Sequence, residues 1–396
     1  MGYCIPAALV RMDAMEYPVI ERRKTRPVKV GELVIGGDAP VSVQSMANTR
    51  TADVEASCAQ VASLAAAGAQ LVRLAVPTRD DTAALREIVR RSPVPIAADV
   101  HFHFDRALEA IDAGVAKIRL NPGNITDRDQ VRRVIRAAAD AGVAIRVGVN
   151  EGSIIARRPS SLSARRPSLA AASEGGGQGW PPPTTQRPLA ELMVEKLAQY
   201  LEVFEEMNFG NLVLSAKSHD AVTCVAVNRA IAARWDYPLH LGVTHAGTRE
   251  TGAIRSAAAL GTLLCEGIGE TIRISYAGDP VYEIAAGLEL LYSLRLRPRR
   301  GIELIACPTC GRLQTDIVPI VEAVRAALSD VIEPITVAIM GCVVNGPGEA
   351  QAADVAICAG AGKALLYVHG EKIATVPEDQ IVTAVVEQVR KIARPQ

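Results

Sequence analysis

The stretch IAADVHFHFDRALEAIDAGVAKIRLNPGNITDRDQVRRVIRAAADAGVAIRVGVN, Ile96–Asn150, reads as three strands separated by two helices. Ile96–Phe102, Lys117–Gly123 and Ile145–Asn150 are short runs rich in apolar and β-branched residues. Arg106–Ala113 and Arg132–Ala141 have helical periodicity between them. Each helical run closes on a glycine, Gly114 or Gly142, the residue that most readily takes the left-handed backbone ending a helix. Strands alternating with helices in this way pair in parallel through right-handed crossovers.

The same unit recurs on both sides. Further strands are expected at Val41–Met46, Leu71–Pro77, Leu212–Lys217, Leu239–Thr244 and Thr271–Ala277, with helical runs at Val54–Ala67, Val222–Arg234 and Gly252–Cys265. Eight such units close into a (β/α)8 TIM barrel, and Val41–Tyr292 matches the roughly 250 residues typical of that fold. A doubly wound open sheet is the competing arrangement, but eight units exceed what most open sheets carry.

At 396 residues the chain has room for a second domain. Lys+Arg 43 balances Asp+Glu 43, which removes the electrostatic case for a nucleic-acid or membrane-surface protein. Aromatic residues at 4% argue against base-stacking platforms. No apolar run approaches the ~20 residues of a membrane span. The first residues lack a basic segment before their apolar stretch and do not read as a signal peptide, so residues 1–18 are expected to be a loose extension, with Met12 or Met15 as alternative starts. Eight cysteines in such a chain point to reduced thiols or metal ligands and to a cytoplasmic location.

Two segments break the barrel pattern. Residues 156–188, rich in Pro, Gly, Ser and Arg, are expected to form a flexible insertion within a barrel domain spanning 19–297. Its Arg157, Arg158, Arg165, Arg166 and Arg187 either approach an anion at the barrel mouth or, the preferred reading, are solvated. Leu296–Gly301 reads as a linker to a small α/β module, 298–396, with strands near Glu303–Ala306, Thr336–Met340, Asp354–Ala359 and Leu365–His369 and helices near Val318–Leu328 and Gln380–Ala393.

That module carries the metal-ligand pattern. Cys307-Pro-Thr-Cys310 follows one strand, and Cys342 with Glu349 lies in a Gly/Pro-rich loop after another. Three thiolates with one weaker oxygen ligand suit a [4Fe–4S] cluster having one exchangeable iron. Structural zinc, for which Cys358 is available as fourth ligand, and a redox dithiol are the alternatives. Cys4, Cys58, Cys224, Cys265 and Cys358 lack ligand spacing and read as buried small hydrophobes.

Barrel enzymes work at the C-terminal ends of their strands. There this chain places Arg73, Arg119, Arg146, Lys217 and Arg273. A charge within an apolar strand is costly unless paired or facing a polar cavity, and guanidinium forks match phosphate oxygens, so the set points to a diphosphate ligand. Asp99, His101, His103 and Asn150 are candidate polar contacts. His219 and His240 are weaker candidates, and His245 stands where a proton-transfer group belongs.

At these residues the chain resembles the 4-hydroxy-3-methylbut-2-enyl diphosphate synthase family of the methylerythritol phosphate route to isoprenoids. The matching runs are QSMANTRT (Gln44–Thr51), VRLAVPT (Val72–Thr78), ADVHF (Ala98–Phe102), IRLNPGNI (Ile118–Ile125), IRVGVN (Ile145–Asn150), PLHLGVT (Pro238–Thr244), EGIGETIRIS (Glu266–Ser275), ACPTCGR (Ala306–Arg312) and GCVVNGPGEA (Gly341–Ala350). The resemblance implies reductive ring opening of 2-C-methyl-D-erythritol 2,4-cyclodiphosphate to (E)-4-hydroxy-3-methylbut-2-enyl diphosphate. It implies a [4Fe–4S] cluster on Cys307, Cys310, Cys342 and Glu349, with flavodoxin or ferredoxin as electron donor. It also implies a head-to-tail homodimer and a substrate-binding set of Arg73, Asp99, His101, Arg119, Arg146, Asn150, Lys217, Arg273 and Ser275.

Two departures stand out. His245 occupies the place of a family glutamate expected to touch substrate near the reacting carbon, so either His245 serves as the acid or turnover is impaired. Residues 156–188 replace a short charged segment. The competing functions are an impaired iron–sulfur-binding homologue and a pterin-type barrel synthase with a zinc module.

Overall fold

The computed structural model describes residues 18–100, 103–122, 124–125, 127–155, 187–343, 348 and 350–393. The expected N-terminal extension and insertion lie outside these residues except for Pro18, Arg187 and Pro188. Two compact units are present, one Val19–Arg297 and the other containing Pro298–Gln396.

The first unit opens with an antiparallel hairpin, β1 (Val28–Val30) and β2 (Leu33–Ile35). Eight parallel strands follow: β3 (Ser42–Met46), β4 (Leu71–Ala75), β5 (Ile96–Asp99), β6 (Lys117–Leu120), β7 (Ala144–Asn150), β8 (Leu212–Lys217), β9 (His240–Leu241) and β10 (Thr271–Ile272). Strands β3 to β8 pair in chain order, β10 returns to pair with β3, and a Leu214–Leu239 bridge joins β8 to β9 and completes the ring. The arrangement is a TIM barrel. Its helices are α1 (Val54–Ala66), α2 (Arg79–Arg91), α3 (Phe104–Asp112), α4 (Arg128–Ala141), α5 (Glu151–Ile155), α6 (Leu189–Glu206), α7 (Ala221–Arg234), α8 (Arg249–Cys265) and α9 (Pro280–Ser293). Local chemistry sets their ends. The Asp127 carboxylate accepts from the backbone of Asp129 and Gln130 to start α4, and Gly142, with φ +67°, ends it.

The hairpin, which the strand pattern did not reveal, seals one end of the barrel. Val28, Val30 and Ile35 pack on Leu71, Ala97, Ala144 and Val213, contributed by β4, β5, β7 and β8 near their N-terminal ends. Above this apolar plug the interior turns polar, with Lys117 Nζ donating to Gln44 Oε1 at 3.1 Å. Strands β9 and β10 are much shorter than the expected Leu239–Thr244 and Thr271–Ala277. At Gly242 a Cβ would lie 2.8 Å from the Arg273 carbonyl and 2.7 Å from Lys217 Nζ, so the backbone leaves the ladder where side chains need the space.

The second unit is a five-stranded sheet, β11 (Glu303–Ala306), β12 (Thr336–Met340), β13 (Val355–Gly360), β14 (Lys363–Val368) and β15 (Glu371–Pro377). The first three strands are parallel and the last two join antiparallel. Helices α10 (Ile317–Ala327) and α11 (Ile381–Ala393) supply Val324, Val385 and Val389 to a core with Ile339 and Ile357. Strand β15 escaped sequence reading because it is mostly exposed and carries little apolar alternation. No described helix is long and apolar enough to cross a membrane.

Candidate functional site

Parallel register brings the strand-borne charges together at the open end of the barrel. Asp99 pairs with Arg119 across β5 and β6, Arg119 with Arg146 across β6 and β7, and Asn150 with Lys217 across β7 and β8. Arg73, Arg119, Arg146, Lys217 and Arg273 line one cavity together with Asn150, Ser215, Thr244 and Ser275. Arg73, Arg119, Arg146 and Lys217 are each at most 8% exposed, so these are buried charges rather than a solvated rim.

Their pairing is uneven. Asp99 Oδ1 accepts from Arg119 Nη1 at 3.1 Å, and Oδ2 lies 3.5 Å from Arg73 Nε. Arg273 Nη2 donates to Glu283 Oε2 at 3.1 Å, and Glu283 Oε1 also accepts from the backbone of Tyr276. Met46 Sδ lies between these groups, 2.7 Å from Arg73 Nη2 and 3.7 Å from Arg273 Nη1. By contrast, Arg146 Nε and Nη1 have no hydrogen-bond partner among the described residues. Three of the five cations, Arg73, Arg119 and Arg273, thus already hold carboxylates, a pairing the sequence pattern did not specify.

Burial dominates the energetics. It pulls Arg73 down to about 10, against the opposing pull of Asp99. Burial and then the neighbouring guanidiniums hold Arg146 and Lys217 well below their ordinary values. Gly148 makes the crowding possible, because a Cβ there would stand 3.4 Å from Arg119 Nε and 3.9 Å from Arg146 Nε. Such a cluster gains most from a multiply charged anion with many acceptor oxygens.

The rim has its own order. Glu151, the residue after Asn150, accepts at Oε2 from Ser218 Oγ (2.7 Å) and the His219 backbone (3.3 Å) and contacts His219 Nδ1 (2.8 Å). This ties the end of β7 to the segment following Lys217. Ser275 Oγ donates to the Val243 carbonyl at 2.9 Å. His245 is exposed in a left-handed backbone conformation, φ +53°, with Nδ1 3.2 Å from Thr244 Oγ1, and it does not line the cavity. His240 is fully buried inside the barrel rather than at the rim. His101 lies outside the described residues. Arg187 is engaged by Glu195 at 2.7 Å on α6.

Glu283 and Glu151 escaped sequence reasoning. Glu283 sits in the first turn of α9, where an acid is ordinary helix chemistry, and only the fold turns it toward Arg273. Glu151 carried a readable signal in its place directly after a strand end.

In the second unit the thiols lie at neighbouring strand ends. Cys307 follows β11 and Cys342 follows β12, its parallel neighbour. The Gly341 N–H donates to Cys307 Sγ at 3.2 Å. The backbone and side chain of Arg312 draw the exposed Cys310 thiol below its ordinary value, toward thiolate. Among the described residues no three His, Cys, Asp or Glu side chains converge on one metal ion. Cys307, Cys310 and Cys342 are donors of the kind a cubane takes, each thiolate on a separate iron, and thiolates also serve zinc. Glu349 lies outside the described residues.

Comparison with known proteins covers both units. The GcpE TIM-barrel domain matches residues 25–288, and the GcpE protein C-terminal domain matches 303–391. The chain is 45% identical to a Streptomyces avermitilis 4-hydroxy-3-methylbut-2-en-1-yl diphosphate synthase (flavodoxin) 1, over 96% of this chain and 93% of that one. It is also 45% identical to enzymes of the same name, without the final numeral, from Bifidobacterium longum (96% and 88% covered) and Corynebacterium diphtheriae (98% and 93%). Among solved structures, dihydropteroate synthase of Xanthomonas albilineans aligns with a TM-score of 0.45 and 15% identity, over 69% of this chain and 99% of that one.

Proposed function

The chain belongs to the GcpE family, and from that premise we propose that it opens the ring of 2-C-methyl-D-erythritol 2,4-cyclodiphosphate reductively, forming (E)-4-hydroxy-3-methylbut-2-enyl diphosphate. The reaction breaks a ring C–O bond and expels one hydroxyl as water, balanced by two electrons and two protons. Family membership favours this reading over a pterin-type synthase with a zinc module and over a homologue that has lost turnover. The observation that carries it is the buried cationic mouth, with Arg146 incompletely paired, in a chain that also presents Cys307, Cys310 and Cys342.

Arg73, Arg119, Arg146, Lys217 and Arg273 bind the two phosphates, while Asp99 and Glu283 keep three of these cations apart and aimed. Asn150, Ser275, Asp99 and His101 supply polar contacts to substrate hydroxyls. Cys307, Cys310, Cys342 and Glu349 hold a [4Fe–4S] cluster. When bound, that cluster supplies electrons one at a time at low potential, drawn from flavodoxin, which the relatives' names specify, or ferredoxin. His245, outside the cavity lining but joined to the cavity-lining Thr244, stands in place of the family glutamate as the proton donor to the departing hydroxyl. The assembly is a homodimer, and the domains run 19–297 and 298–396. The test is an anaerobic turnover assay with the cyclic diphosphate and a chemical reductant, beside iron and sulfide analysis. Product formation by a brown, iron-loaded protein is expected; colourless protein without product would overturn the reading.

A further inference from the structure

Lys217 is 8% exposed, and its Nζ lies against the backbone of Gly242. No hydrogen bond or ion pair engages that Nζ among the described residues. Four guanidiniums, Arg146, Arg73, Arg273 and Arg119, line the same cavity, and buried His240 of β9 and Cys224 of α7 interact with Lys217 electrostatically. The carboxylates around the cavity cations are already committed, Asp99 to Arg73 and Arg119, Glu283 to Arg273, and Glu151 at the rim to Ser218 and His219. A further positive charge there is disfavoured by both desolvation and like-charge repulsion.

We infer that Lys217 is a neutral amine in the free enzyme and takes up a proton when the diphosphate binds, so that anion recognition is coupled to proton uptake. The inference rests on the ligand assigned under Proposed function. Phosphate oxygens arriving beside Nζ supply the counter-charge that the protein withholds. Burial and the four guanidiniums acting in the same direction on Lys217 are consistent with this. The ligand itself stays silent, because each phosphorus of a cyclic diphosphate ester carries a single strongly acidic hydroxyl and remains ionised throughout the neutral range. Any proton consumed on binding therefore ends on the protein. Affinity falls as the pH is raised, since a proton is a co-ligand.

The test is calorimetry of the cyclic diphosphate with the oxidised holoenzyme, without reductant, at mildly alkaline pH in buffers of differing ionisation enthalpy. The expected result is a binding enthalpy that varies linearly with buffer ionisation enthalpy, with a slope approaching about one proton taken up. Lys217→Gln should bind about ten- to a hundredfold more weakly and lose the buffer dependence. Binding by the native enzyme with a buffer-independent enthalpy overturns the proton coupling alone. Uptake that persists in Lys217→Gln overturns the assignment to Lys217. Failure of the native enzyme to retain the cyclic diphosphate in equilibrium dialysis instead overturns the functional reading beneath it.

Discussion

Asp99 and Arg119, direct partners across two parallel strands, are joined by a 3.1 Å hydrogen bond at the floor of the barrel mouth. The other oxygen of the same carboxylate lies 3.5 Å from Arg73 Nε, so one anion separates two cations that would otherwise repel. Both arginines and Asp99 are buried, and removing one member of a buried ion pair typically costs about 3–5 kcal/mol. Asp99→Asn should lower the denaturation midpoint in a urea titration. Adding the cyclic diphosphate should restore part of the loss, because the ligand replaces the missing negative charge. An unchanged midpoint would remove the structural role assigned to Asp99.

Glu151 makes the corresponding link at the rim. Burial raises its carboxyl, but the bonds from Ser218 and His219 outweigh that and leave it below the ordinary glutamate value. A depressed folded-state value means stability that is complete above the ordinary range and lost as the pH falls through the lowered one. Unfolding measured from neutral to acid pH should show this loss in the native chain and a flatter profile in Glu151→Gln. Glu151→Ala should cost about 1–3 kcal/mol near neutrality and raise KM through the released Lys217 segment.

Gly341 is closely approached by the Leu313 side chain. A Cβ there would run into Leu313 Cδ1 and stand 3.5 Å from Cys307 Sγ. Core overpacking typically costs about 1–3 kcal/mol, and here the cost falls at the low end because the atom met is the tip of a half-buried side chain that can turn away. Gly341→Ala should melt at lower temperature and retain less iron and sulfide per chain. Adding Leu313→Ala should recover much of both. Full iron content in the single variant would show that the close approach is unnecessary.

Replacing Glu349 separates holding a cluster from using it. Glu349→Cys should keep its iron and its brown colour yet lose turnover, because a fourth thiolate does not yield its place to substrate. Undiminished turnover would end the argument that an exchangeable oxygen ligand is needed.

His245 tests the departure from the glutamate expected at this position. A general acid is typically worth 10²–10⁴-fold, so His245→Ala should lower kcat by about a hundredfold with KM little changed. His245→Glu should sustain turnover near the native rate. A large gain in the glutamate variant would instead mean that histidine impairs the enzyme.

Much of the site was legible before folding was considered. Arg73, Arg119, Arg146, Lys217 and Arg273 announced themselves as charges inside apolar strands, and Cys307, Cys310 and Cys342 by their spacing. What stayed hidden was who pairs with whom. Glu283 follows Arg273 by ten positions and looks like any acid opening a helix, yet it neutralises that arginine. The β1–β2 hairpin lies outside the strand–helix repeat, and its role as a plug appears only against Leu71, Ala97, Ala144 and Val213.

The sequence by itself determined the alternation of strands and helices, and with it the barrel, because hydrophobic period and glycine stops act over a few neighbouring residues. It also determined which side chains carry charge and sulfur. The tertiary structure alone decided which cations are neutralised and which are left for a ligand. That outcome depends on register between strands far apart in the chain, and on a low-dielectric interior in which a single carboxylate placed within hydrogen-bonding reach changes the balance.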